Sequence, residues 1–195
     1  KMMDYKTCCD IFGISDITFL PIAAMKIVES PYEERVAFYK KLLEANNYDV
    51  SKDWFQPIYE AELSEGKRKG QHFTPDGVNY LLSELTGNKE GSVHEPTAGT
   101  GALVIADWWN FVSKQIPWNT YPSQKPYMVW ELSDRAVPLL LINLSIRGIM
   151  ATVYHGDVLE KNIKAKYLII NRTDDALGFS DIVPDPEDKL IISRS

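Results

Sequence analysis

The stretch SPYEERVAFYKKLLEANN places Val36, Tyr39 and Leu43 at helical spacing, with Leu42 beside them and polar residues on the other positions. Ser30 is suited to cap such a helix, Pro31 to its first position, and Glu33 and Glu34 to its positive end. A second helical pattern runs through KDWFQPIYEAELSE and is expected to break or kink at Pro57. Beyond Gly70 the period changes. SVHE, YMVWE, ATVYHGD and KYLIIN read as strands, and longer helical runs separate the first three: one from about Thr100 to Ser113, the other within LSDRAVPLLLINLSIRG. In the latter, Ala136, Leu140 and Leu144 share a face that Val137 and Leu141 widen, and Arg147 and Gly148 suit a helix end. Pro138 requires that helix to start late or to open irregularly. Strand, helix, strand, helix, strand predicts parallel pairing through right-handed crossovers. The expectation is an α/β fold over residues 66–195, a doubly wound, mainly parallel sheet of Rossmann-like type, preceded by an N-terminal helical region over residues 1–65.

Composition narrows the class. The 195 residues are 45% apolar and 25% charged, as in a globular protein that can bury a core without disulfides or metals. The two cysteines, Cys8 and Cys9, are neighbours and form no C-x-x-C motif, so the expected setting is reducing and cytoplasmic. No apolar run reaches the roughly 18 residues needed to span a bilayer, and no signal peptide is evident, so no membrane association is expected. A net charge of −6 argues against broad, non-specific nucleic-acid binding. The one compact basic run, GKRKG at 66–70, reads either as a solvated loop or as a local phosphate contact beside a cleft. His72, His94 and His155 lack metal-ligand spacing. Trp108, Trp109, Trp118 and Trp130 read as core or interface, with base stacking as the alternative.

The chemistry gathers at VHEPTAGTGALVIADWW. In open α/β sheets the ligand sits outside the carboxyl ends of the strands. Gly99 and Gly101 stand at such an end, where glycine lets the backbone approach a ligand and take positive φ. Glu131 ends the second strand and can accept both hydroxyls of a ribose; Asp157 ends the third and can reach an exocyclic amine. Together they point to an adenosine-type ligand. A dinucleotide fits less well, because Leu103 and Val104 stand where a third small residue is wanted. The turn carries no Lys or Arg and no G-K-[ST] loop, so the ligand needs few phosphates or none.

GQHFTPDGVNYLLSEL followed by HEPTAGTGALVIADW resembles the N6-adenine DNA methyltransferases, especially the modification subunits of type I restriction systems. The resemblance covers roughly residues 66–171. It implies S-adenosylmethionine as cofactor. Gln71, Phe73, Thr74 and Pro75 match the segment packed over its methionine end, with Thr74 near the carboxylate. Glu95, Thr97, Ala98, Gly99 and Gly101 match the loop beneath methionine and ribose, with Glu95 where the family usually has Asp. Glu131 matches the ribose acid and Asp157 the residue near the adenine amine. The resemblance also implies DNA as partner, helped by a specificity subunit or another protein, and leaves a homo- or hetero-oligomer open.

The pattern breaks where the family's catalytic loop is expected. That loop reads Asn or Asp, Pro, Pro, then an aromatic that stacks on the flipped base. Here the sequence is Asn171, Arg172, Thr173, Asp174. Asn171 is the expected catalytic position, the two φ-locked residues are lost, and the stacking surface becomes an anion. DKLIIS is the one further strand candidate in the 24 residues that follow Asn171. The expectation is therefore an incomplete methyltransferase domain of the S-adenosylmethionine-dependent type, weak or inactive alone. The alternative is a non-catalytic cofactor-binding or interaction module of a restriction-modification or related methylation complex, and a different nucleotide-binding protein is the minor third reading.

Overall fold

The computed structural model describes residues 2–65 and 90–185. The helical region contains α1 (Tyr5–Phe12), α2 (Leu20–Glu29), α3 (Tyr32–Ala45) and α4 (Gln56–Glu65). α1 is closed by Asp4, whose side chain accepts from the Thr7 amide, and by Gly13 at φ 64°. Ser30 does not cap α3. It ends α2, its hydroxyl donating to the Ile27 carbonyl at 2.6 Å, and Pro31 stands at the cap of α3 with no side-chain bond. Pro57 does not kink its helix: α4 starts at Gln56, so the proline lies in the first turn, where no intrahelical amide is needed. Pro138 is accommodated in the same way.

After residue 89 come β1 (Val93–Glu95), α5 (Ala102–Val112), β2 (Tyr127–Glu131), α6 (Val137–Ile146), β3 (Ala151–Asp157), β4 (Asn162–Ile170) and β5 (Asp181–Pro184). Among the described residues the strands form one sheet in the order β1-β2-β3-β4-β5. β1, β2 and β3 are parallel, in register through Glu95 opposite Val129 and Glu131 opposite His155. β4 and β5 run antiparallel. The mainly parallel expectation thus holds for the first three strands, and the sheet as a whole is mixed. The reason lies in the connection: four residues join β3 to β4, far short of the dozen or so that a parallel crossover needs. Asp157 closes this hairpin by accepting from the amides of Leu159 and Glu160 at 2.8 and 3.2 Å. β5 was not foreseen, and DKLIIS lies outside the described residues.

The sheet is not wound on both faces by the described helices. Tyr127, Val129, Val153 and Ile169 alternate inward and are buried; α6 packs on β3, β4 and β5, and Asp107 of α5 bonds the Tyr127 hydroxyl at 2.6 Å. Met128, Trp130, Thr152, Tyr154 and Lys166 occupy the other face and remain partly exposed, Trp130 stacked on Tyr154 at 4.5 Å. Every residue of α6 is buried, because α2 lies on the side that the sheet leaves free. An all-round apolar helix is what a central position requires.

Candidate functional site

The carboxyl ends of β1, β2 and β3 lie along one edge of the sheet, and the glycine turn bends over the first two. At its start, Glu95 Oε1 accepts from the amide and hydroxyl of Thr97 at 3.0 and 3.2 Å. The Ala98 amide donates to the Trp130 carbonyl at 2.9 Å, tying the turn to β2, and the Ala98 side chain is buried in the core. Gly99 has φ 57° and Gly101 φ 107°, backbone that L side chains rarely adopt. A Cβ on Gly101 would also come within 3.1 Å of Leu140 Cδ1. This close fit lets α5 start against α6.

The Gly99 amide donates to Glu131 Oε2 at 2.6 Å, and the Ser133 amide donates to Glu131 Oε1 at 2.8 Å. Glu131 is therefore fixed by two backbone donors, one on the turn and one on its own loop. A carboxylate has about four lone-pair sites, so two remain for hydroxyls of a ligand. Asp157 stands at the same edge on the next strand, its Oδ1 engaged in the hairpin. His155 contacts Asp134 Oδ1 through Nε2 at 2.7 Å, and Lys164 donates to the same oxygen at 3.1 Å. These two hydrogen bonds, Lys164 first, hold the Asp134 carboxyl below the usual range. Gln71, Phe73, Thr74 and Pro75 lie outside the described residues, as does the basic run at 66–70.

Beneath the turn is a buried polar network that the sequence reading missed. Thr100 is 1% exposed; its hydroxyl donates to Asp53 Oδ2 at 2.5 Å, and its carbonyl accepts from Asn143 Nδ2 at 2.7 Å. Asn143 Nδ2 also donates to Asp53 Oδ1 at 2.8 Å, and the Phe55 and Gln56 amides at the start of α4 donate to that oxygen at 2.9 and 3.3 Å. Arg147 donates to Asn143 Oδ1 at 2.9 Å and to the carbonyls of Val50 and Lys52, with its guanidinium over the Trp54 ring. Burial pushes the Asp53 carboxyl up, while Thr100, the Phe55 amide, Asn143 and the Arg147 charge pull it down. Burial also lowers Arg147 to about 10, against the pull of Asp53 and Asp49. The available signal was a lone Asp ahead of an apolar-aromatic pair, which reads only as a helix cap.

Asn171 is not at this edge. β4 is antiparallel, so its end lies beside the start of β3, roughly 20 Å away along a seven-residue strand. Its side-chain amide donates to the carbonyls of Gly148 and Asp175 at 3.1 and 2.8 Å, and its oxygen accepts from the Asp175 amide at 3.2 Å. Asp174 bonds the amide and hydroxyl of Ser123 at 2.8 and 2.5 Å. Asn171 and Asp174 thus fasten a loop. Among the described residues no group of three metal-ligating side chains occurs, and no single helix is long and apolar enough to cross a membrane.

The local arrangement is thus a glycine turn bonded to a strand-end acid. Residues 50–177, more than half of the chain, match the family model of the N-6 DNA methylases, and the chain belongs to that family. It is also similar to the methylase subunit of the type I restriction enzyme HindI of Haemophilus influenzae, at 30% identity over 107 residues. That match covers 51% of this chain but 23% of the relative, so the chain spans under a quarter of that protein's length. No solved structure matches it.

Proposed function

We propose that this member of the N-6 DNA methylase family binds S-adenosylmethionine at the edge formed by the glycine turn, Glu131 and Asp157. The observation that carries the reading is the bond between the Gly99 amide and Glu131 across two adjacent parallel strand ends. In this reading the two remaining acceptor sites of Glu131 take the ribose hydroxyls. Gly99 and Gly101 let the backbone approach the methionine portion, Thr97 and Ala98 shape the turn, Asp157 reaches the adenine amine, and Gln71, Phe73, Thr74 and Pro75 close over the methionine end. A sulfonium with a zwitterionic tail suits acids and backbone donors, and the turn offers it no lysine or arginine to oppose the positive charge. The cofactor supplies an electrophilic methyl group.

The relative's name is that of a methylase subunit of a restriction enzyme, and by that likeness the substrate class is DNA adenine N6, reached in the cytoplasm with a partner that supplies sequence recognition. In isolation this chain is proposed to bind cofactor without transferring its methyl. The position of Asn171, saturated by backbone contacts at the far edge, favours this second reading, a cofactor-binding module of a methylation complex. Calorimetry with S-adenosylhomocysteine, NAD and ATP tests the site: one-to-one binding of the first alone is expected, and binding of NAD or ATP in its place overturns the reading. Tritiated methyl transfer to adenine-containing DNA tests the activity. Turnover by the isolated chain at saturating cofactor would exclude the non-catalytic form.

A further inference from the structure

We propose that Asp53 is a positioning residue for the glycine turn, so that the helical region sets the geometry of the cofactor loop; this rests on the cofactor reading above. The network of Asp53, Thr100, Asn143 and Arg147 is unusual in its position. Asp53, Thr100, Asn143 and Arg147 are 5%, 1%, 0% and 3% exposed. Burying a carboxylate and a guanidinium is expensive, and packed apolar side chains would join the same helices at lower cost. What apolar packing cannot supply is direction. Asp53 accepts four hydrogen bonds: from Thr100, from Asn143 and from two amides that open α4. Thr100 lies between the two positive-φ glycines, and both its hydroxyl and its carbonyl are held from beneath. With Thr100 fixed, the Gly99 amide is aimed at Glu131. A single carboxylate thus joins the entry to α4, the turn and the middle of α6.

A preorganised loop of this kind gains affinity because its order is established before the ligand arrives.

The test measures amide hydrogen exchange at Gly99, Thr100 and Gly101 relative to Val129, in the full chain without ligand. The variants are Asp53→Asn, Thr100→Val, Thr100→Ser and, as a control for general destabilisation, Val28→Ala in α2. Asp53→Asn and Thr100→Val are expected to speed the turn amides at least about tenfold relative to Val129, because a local opening is released. Thr100→Ser, which keeps the hydroxyl, returns the ratio to within about twofold, and Val28→Ala leaves it unchanged. Should Asp53→Asn not fold, the Thr100 pair decides. Turn amides that keep the wild-type ratio in Thr100→Val overturn the proposal. Affinity for S-adenosylhomocysteine, measured where all variants are folded, is expected to fall about tenfold in Thr100→Val and to recover in Thr100→Ser. Faster exchange without that loss removes the link to ligand. A wild-type chain that binds no S-adenosylhomocysteine removes the cofactor reading instead, and the exchange ratios then decide the role of Asp53 in the turn by themselves.

Discussion

At Gly148 the backbone has φ 67°, and a Cβ would fall 2.2 Å from the Gly178 carbonyl oxygen and 2.9 Å from Asn171 Nδ2. Gly148→Ala is therefore expected to cost about 3 kcal/mol, from strain and from displacement of the loop that Asn171 fastens; urea unfolding measures it. Glu131→Gln keeps the shape but replaces one acceptor with a donor facing the amide of Gly99 or Ser133. Affinity for S-adenosylhomocysteine should drop about tenfold or more, read by calorimetry. Burial, with the neighbouring Cys9 second, pushes the Cys8 thiol up to about 12. Cys8, fully buried, therefore stays protonated at a pH where an ordinary exposed thiol ionises. Alkylation by iodoacetamide in native buffer should leave Cys8 unmodified, and the same reagent in denaturant should label it fully.

α6 is the element on which the others converge. Its ten residues are all buried, between α2 and the sheet, and its Leu140 also fills the space that Gly101 leaves. Leu140→Ala is expected to cost about 3 kcal/mol by the cavity it opens, and to loosen the glycine turn as well. The β3–β4 hairpin decides a different matter. Its short connection turns β4 back across the sheet, and the bulge at His155 and Gly156 fits only because Gly156 carries no Cβ, which would lie 2.0 Å from the Asn162 carbonyl oxygen. Periodicity alone found KYLIIN as a strand but not its start at Asn162, nor its direction. The residues between Asp157 and Asn162 carried that information, since too few of them are present for a crossover.

The N-terminal helices and the sheet are tied into one body. Arg35 bonds the carbonyls of Val28 and Ser30 and pairs with Asp181 at the head of β5, Tyr39 donates to Ser145 of α6, and Arg147 reaches back to Val50 and Lys52. Far-ultraviolet circular dichroism and tryptophan fluorescence are therefore expected to report one coincident unfolding transition. A fragment covering residues 50–195, without α1–α3, uncovers α6 and should show no cooperative transition by the same two probes. Separate transitions for helices and sheet would contradict the shared core.

Local spacing determined much of this protein. Period 3.6 marked α3, α5 and α6, and short apolar runs bounded by turn residues marked β1, β2 and β3. The order of Gly99, Glu131 and Asp157 at successive strand ends was visible because a parallel sheet repeats its carboxyl edge at every strand. Strand direction beyond β3, the sheet face that the described helices cover and the place of Asn171 depended on which segments meet in space. Asp53 is the sharpest case. In the sequence it is 47 residues from Thr100 and 90 from Asn143, and a carboxylate's partners at that separation follow from packing rather than pattern. Only the folded chain brings those donors around it, because hydrogen bonds act over about 3 Å while sequence periodicity is confined to a few turns of one element.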